Sequence, residues 1–166
     1  VHTEPISTDR LDLLPLAVEH AEEMAEVLSD PALHTFIGGA PLSPGALRAR
    51  YERLVAGSPD PSVSWCNWVL RARPTRQLIG TVQATITAQG SAEIAWVIGT
   101  PWQGRGYASE AARGLVDWLR DHPAHTVIAH IHPAHTASAT VARAAGLSPT
   151  DETHDGETRW QLHLRR

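Results

Sequence analysis

The chain has no lysine: all 14 of its basic residues are arginine. Without that side chain there is no Walker lysine, no Schiff-base lysine and no Ser-x-x-Lys pair, so the enzyme classes built on them are excluded. Cysteine is almost as scarce. Cys66 stands alone, so an internal disulfide cannot form, no cysteine cluster offers a structural zinc site, and a reducing, cytoplasmic setting is expected. Nowhere is there a run of about eighteen apolar residues, and Val1 to Leu16 carries acids and Pro5 rather than a basic segment followed by an apolar one. The expectation is a soluble, unexported protein that does not engage a membrane. An excess of positive charge is also missing. The arginines face 18 acidic residues and leave a formal charge of -4, which provides no broad cationic surface for tracking a phosphate backbone and argues against DNA as a partner.

What is present is 166 residues, 42% hydrophobic and 19% charged, enough chain for one compact domain over residues 1–166 with a real core. Ile6 to Leu16 alternates loosely up to Pro15 and reads as a first strand. Val18 to Leu28 then sets Val18, Ala21, Ala25 and Leu28 on one helical face, and Ser29-Asp30-Pro31 closes that helix. A loop rich in Gly38, Gly39, Pro41 and Pro44 leads to a second helix, Leu47 to Val55. The period next changes to two. Trp65 to Arg73, Gln77 to Thr87 and Ala92 to Ile98, with turns at Pro74-Thr75 and Gln89-Gly90, read as an antiparallel meander. A helix from Ala108 to Arg120 follows the Gly104 to Gly106 turn, its stripe of Ala108, Ala111, Ala112, Leu115 and Leu119 facing the sheet. Thr126 to Ile131 is strand-like, Ala137 to Ala145 is helical up to Gly146, and Thr158 to Leu164 is the final strand.

The informative stretch is Glu93-Ile-Ala-Trp-Val-Ile-Gly-Thr-Pro-Trp-Gln-Gly-Arg-Gly-Tyr-Ala-Ser-Glu110. A strand that runs through Gly104-Arg-Gly106 straight into a helix converges unpaired N–H groups and the positive end of a helix dipole on one spot, which suits a phosphate or diphosphate. Gly106 leaves no Cβ in the anion's way, and Arg105 adds a cation. On that reasoning a valine at 106 blocks the anion and spares the fold. A dinucleotide fold fits poorly, because Ser109 replaces the third glycine of its fingerprint and no acid stands about twenty residues on. An ordinary glycine turn is the plain alternative.

Gln103-Gly-Arg-Gly106-Tyr-Ala108 resembles the Gln/Arg-x-x-Gly-x-Gly/Ala signature of the GNAT superfamily of acyl-CoA-dependent N-acyltransferases. Ile6-Ser-Thr-Asp-Arg-Leu-Asp-Leu13, Ile79-Gly80, Ala92-Glu-Ile-Ala-Trp96 and Ala144-Ala-Gly-Leu147 extend the pattern in order, and together they look like the RimJ/RimL-type ribosomal-protein N-acetyltransferase branch. The resemblance implies a mixed α/β (α+β) fold, its mostly antiparallel sheet splayed between the fourth and fifth strands and flanked by helices. Acetyl-CoA, or another acyl-CoA, is then the co-substrate in the gap, with no metal. Ile98 is expected to bond the pantetheine, and Gln103, Gly104, Arg105, Gly106, Tyr107 and Ala108, with Ser109 beside them, to hold the diphosphate. The acceptor is a primary amine of a protein N-terminus or a small molecule, recognised by the loops Phe36 to Pro44 and Pro59 to Ser64. The family admits a homodimer.

Direct attack on a thioester needs a neutral amine and a proton for the leaving thiolate. The resemblance gives the first task to Glu93, whose plain reading is a solvated or salt-bridged strand carboxylate. An α-amine with pKa near 8 is roughly a tenth neutral at pH 7, against less than about one part in a thousand for a lysine amine near 10.4. A single carboxylate therefore favours α-amines or other low-pKa amines. The second task falls to Ser138, which otherwise bonds local backbone. His135 stands where the family carries Asn facing the cofactor, and Ala142 where many members carry a tyrosine. These departures motivate a second reading, a CoA-binding module without turnover. Ten histidines suggest a third, a histidine-metal enzyme, with His130 and His132 on one strand face and His122, His125 and His135 near in sequence; facing the gap, His130 and His132 become alternative bases. Of the six tryptophans, most are expected in the core, with Trp102 beside the loop and Trp65 or Trp68 near the acceptor. Glu110 reads as a helix cap.

Overall fold

The structure, a computed structural model, describes residues 1–37 and 39–164. β1 (Ile6–Ser7) and β2 (Leu11–Pro15) pair antiparallel, Ile6 opposite Leu13. The single first strand expected from alternation is thus a hairpin, because Thr8 turns the chain: its N–H donates to the Leu11 carbonyl at 2.9 Å. A 3₁₀ turn, Val18–His20, precedes α1 (Ala21–Val27), where one helix from Val18 was expected. His20 Nδ1 accepts from the Ala17 N–H at 2.9 Å and ends the preceding turn locally. Another short turn, Pro31–Leu33, leads into α2 (His34–Ile37), which replaces part of the expected loop; Gly38 lies outside the described residues. α3 (Pro44–Ala56) starts three residues before Leu47 because Ser43 Oγ accepts the Ala46 N–H at 3.2 Å and Pro44 suits the first helical position.

The meander is present as β3 (Ser64–Ala72), β4 (Leu78–Ile86) and β5 (Ser91–Ile98). α4 (Tyr107–Leu119), β6 (Thr126–Ile131) and α5 (Thr136–Ala144) follow. The last two strands, β7 (Ser148–His154) and β8 (Glu157–His163), form a hairpin of which only the second arm was expected. Its turn, Asp155-Gly156 at φ 49° and 81°, is a strong hairpin signal. β7 itself hides behind Pro149 and a run of polar exposed residues, as an edge strand permits.

Among the described residues the strands form one eight-stranded sheet in the order β1-β2-β3-β4-β5-β6-β8-β7, antiparallel except between β5 and β6. Alternation divides the sheet into two faces. Trp68, Leu70, Val82, Ile94 and Ala129 meet the α4 stripe of Ala111, Ala112, Leu115 and Leu119 and the α5 residues Val141 and Ala142 on one face. Val69 and Leu78 meet Met24, Val27, Leu47 and Tyr51 of α1 and α3 on the other. Trp68 is fully buried on the α4 face, edge-on to Trp118 at 5.1 Å, and so is core rather than an acceptor contact.

Gly80 sets how closely β4 and β5 approach. A Cβ there would lie 2.2 Å from the Val97 carbonyl oxygen, a clash with backbone that no rotamer relieves. Gly80→Ala is expected to destabilise the fold by about 2 kcal/mol or more, read as a lower denaturant midpoint at unchanged slope.

Candidate active site

β5 and β6 pair through Ser91–Thr126, Ala92–Val127 and Glu93–Ile128 and then part. β5 continues against β4 to Ile98, and β6 against β8 to Ile131. The bond from the Gly99 N–H to the Ile79 carbonyl, 2.8 Å, fixes the phase: odd-numbered residues of β5 turn their backbone to β4, even-numbered ones to the opening. Trp96 and Ile98 therefore present N–H and C=O groups to a gap with no strand in it. Gln103 partly covers this edge. Its Nε2 donates to the Ile98 carbonyl at 2.9 Å, so its amide is turned toward the strand end rather than outward to an anion.

Past Ile98 the chain makes a 3₁₀ turn, Thr100–Trp102, and enters α4 through Gly104 and Gly106 at φ 76° and 81°. Trp102 packs inward against both helix-bearing cores. Among the described residues, no backbone N–H from Gly104 to Ser109 has an acceptor in the protein; the first helical bond is Glu110 N–H to the Gly106 carbonyl. Such a run of amides at a helix N-terminus is an anion-binding surface. Gly106 also needs its glycine for backbone reasons. At φ 81° a branched side chain is strained whatever the space, so a valine there would not spare the fold.

Glu110 is not a cap. Its carboxylate takes the Thr8 hydroxyl, the Arg10 N–H at 2.8 Å and Arg10 Nε at 2.7 Å. Burial pushes this carboxyl up, but those donors outweigh it and hold it below the usual value.

On the α1–α3 face, the gap opens into a cavity of about 520 Å³. Leu16, Leu28, Leu47 and Tyr51 wall one side, Asn67, Gln83 and Glu93 lie on the sheet, and His130, His132, His135 and Ser138 wall the other. Glu93 Oε1 is 3.5 Å from His130 Nδ1, the carboxylate 57% exposed and the imidazole 16%. His154 lies beyond, its ring 5.2 Å from that of His130. His132 falls in the turn after β6 instead of sharing a strand face with His130, and its Nδ1 accepts the Ala134 N–H. Ser138 Oγ is 3.3 Å from His135 Nε2, an imidazole partner in place of the local backbone. Burial, with a smaller contribution from His132, pulls His135 below the ordinary histidine value. Gly39, Ala40 and Leu42 of the first expected acceptor loop line the cavity; residues 59–64 of the second do not. Ala142 is fully buried. Among the described residues no group of three His, Cys, Asp or Glu could hold a metal ion.

Residues 10–148 match the acetyltransferase (GNAT) domain family. The chain belongs to the GNAT acetyltransferases. No curated protein matches it. A GNAT-family acetyltransferase from Bacillus anthracis shares the GNAT fold, with a TM-score of 0.81 at 19% identity over 96% of this chain and 98% of its own. RimL, a ribosomal L7/L12 α-N-protein acetyltransferase in complex with coenzyme A, has a TM-score of 0.82 at 16% identity over 97% and 98%. A Salmonella typhimurium acetyltransferase that modifies the N-terminal serine of ribosomal protein L7/L12 has a TM-score of 0.80 at 15% identity over 98% and 100%.

Acetyl-CoA, the donor of GNAT acetyltransferases, fits two observations: amides from Gly104 to Ser109 without acceptors and the strandless edge at Trp96 and Ile98. Three features of this GNAT domain were missed from sequence: the Arg10–Glu110 pair, His154 beside His130, and Tyr51. Tyr51 sits with Leu47 of α3 in the core on the α1–α3 face. Its buried hydroxyl has no hydrogen-bond partner among the described residues, and burial pushes its pKa up to about 12. Only the spacing of Arg10 in the N-terminal pattern offered a signal for the first.

Gly106→Ala meets no closer atom than Arg10 Nη2 at 3.4 Å, so its cost is the left-handed backbone, about 1 kcal/mol. Thermal unfolding should register that loss, and calorimetry should show acetyl-CoA affinity about tenfold weaker as the loop relaxes away from left-handed geometry.

Proposed function

We propose that this GNAT acetyltransferase, a RimJ/RimL-like enzyme of the cytoplasm, acetylates α-amines of protein or peptide N-termini or small amines of similarly low pKa. The one-domain reading is supported by a sheet that runs unbroken from residue 6 to residue 163. The observation that carries the functional reading is the parting of β5 and β6 directly after Glu93. It leaves a carboxylate and an edge of unmet backbone at the mouth of one cleft.

Acetyl-CoA supplies the thioester. The chain's residues do the rest. Backbone groups of Trp96 and Ile98 hold the pantetheine arm, and the amides from Gly104 to Ser109, with Arg105 beside them, hold the diphosphate. Glu93 accepts the amine proton directly or through water, with His130 alongside at 3.5 Å as the second acceptor on that wall. Ser138, held at rest by His135, gives its hydroxyl proton to the departing thiolate and takes one back from solvent, to which Glu93 releases the proton of the amine. Among the described residues Glu93 is the carboxylate paired with His130, with Glu157 elsewhere in the same cavity lining, and a single base at that position suits an amine that is already partly neutral at pH 7. The two neighbours that act on L7/L12 N-termini support the same acceptor class.

An amine and peptide panel, read by free-thiol release and product mass, tests this. Acetylation of an N-terminal α-amine in preference to a lysine amine supports the proposal; no thiol above the blank with any acceptor leaves the CoA-binding module as the reading. Glu93→Gln is expected to lower kcat/KM about 100-fold at pH 7. The deficit should shrink as pH rises toward the acceptor's own pKa, because more amine is neutral without help.

His135 generates a separate expectation. Burial holds its folded pKa below the ordinary histidine value, so the imidazole is neutral at pH 7, and with its proton on Nδ1 it holds the resting Ser138 hydroxyl at Nε2. A further loss of activity, below the acid limb set by the acceptor amine, should appear as the ring gains its proton beneath the ordinary histidine value. The His135→Asn enzyme should not show that further loss while Ser138→Ala loses rate across the range, as pH–rate profiles would show.

A further inference from the structure

The N-terminal pattern Thr8-Asp-Arg10 and the carboxylate of Glu110 are absorbed by none of the chemistry above, yet they meet at the loop entering α4. Arg10 makes three different contacts there. Its Nε binds Glu110 Oε1 at 2.7 Å, its Nη1 donates to the Arg105 carbonyl at 2.9 Å, and its guanidinium lies 4.4 Å from the centre of the Tyr107 ring. Nη2 is the atom nearest to where a Cβ on Gly106 would stand. The far end of the connection is equally fixed. Thr8 donates to the other oxygen of Glu110, and the Arg10 N–H joins it there. A Cβ on Gly114, one helical turn on, would come within 2.8 Å of Thr8 Cγ2, so glycine at that position lets the β1–β2 turn seat against α4.

We propose that Arg10 is a positioning residue for the anion-binding loop. It ties the carbonyl of Arg105, in the middle of the loop, to a carboxylate in the first turn of α4, and caps Tyr107 from above. The contact holds the loop from Gly104 to Tyr107 with its amides facing outward, and brings a fixed positive charge beside them. A planar guanidinium does this where an ammonium does not, because its donors point in fixed directions toward two acceptors at once. The inference rests on the loop's being the diphosphate site.

The test compares acetyl-CoA with S-acetylpantetheine, which keeps the thioester arm and lacks the diphosphate. Wild type is expected to have a lower KM for acetyl-CoA than for S-acetylpantetheine. Arg10→Gln should raise the acetyl-CoA KM about tenfold, with kcat at saturation and the S-acetylpantetheine KM changed less than about twofold. If both donors suffer equally, or neither does, Arg10 is a structural residue only and the inference is overturned. If wild type handles both donors equally well, the loop does not hold the diphosphate, and the functional reading fails with it. Should Arg10→Gln not fold, Arg10→Lys is measured in the same way; it retains charge but not the two-way bridge, and a selective rise of about threefold or more in the acetyl-CoA KM is expected, an unchanged ratio between donors being the overturning result.

Discussion

Everything in this molecule turns on two parallel strands that pair for three residues and then separate. A buried backbone group without a partner costs about 1–3 kcal/mol, and a sheet ordinarily avoids that cost by continuing its ladder. Here β5 is held on one side by β4 and β6 on one side by β8, so each strand stays straight while the gap opens between them. The unmet edge faces an open cleft, which spares the fold the penalty and makes the same groups available to an extended ligand. A pantetheine arm with its two amides is chemically a short strand, and it can complete what the sheet leaves open.

The other elements serve that opening. Gly80 brings β4 against β5 opposite Ile98, at the far end of the opening from the last β5–β6 pair. Gln103 reaches back to the Ile98 carbonyl and ends the strand without covering its whole edge. α4 begins on a left-handed glycine, so its first amides project past the strand end instead of folding into it. On the opposite side of the sheet from the α4 core, α1 and α3 make an apolar wall facing the polar row of Glu93, His130, His135 and Ser138. The cleft is asymmetric as a result: apolar helix side chains on one wall, a carboxylate, imidazoles and a hydroxyl on the other.

That division also explains what could be read early. The loop's glycines and the strand before it carry a pattern whose physical demands are local, and they were legible as a candidate anion surface from the residues alone. The meander, α4 and β6 were legible for the same reason, since their periodicity reflects neighbours close in sequence. β7 was not, because an edge strand with one unprotected side need not alternate, and Pro149 and Asp151 suppress the propensity that would have marked it. The first strand was read as one because alternation continues through Thr8-Asp-Arg10 even though the backbone reverses there. Glu110 was misread as a cap because its partner is 100 residues away.

By itself, then, the order of residues marked the meander, α4, β6 and β8, offered the turn from Gly104 to Gly106 as a candidate anion surface, and singled out Glu93, Ser138 and the glycines as candidates. Tertiary structure alone decided that His130 stands beside Glu93, that Ser138 pairs with an imidazole, and that Arg10 grips a loop 95 residues further along. The physical reason is range. Helical and strand periodicity and left-handed turns are set by interactions over a few residues, whereas a hydrogen bond between side chains depends on register and packing that no local window contains.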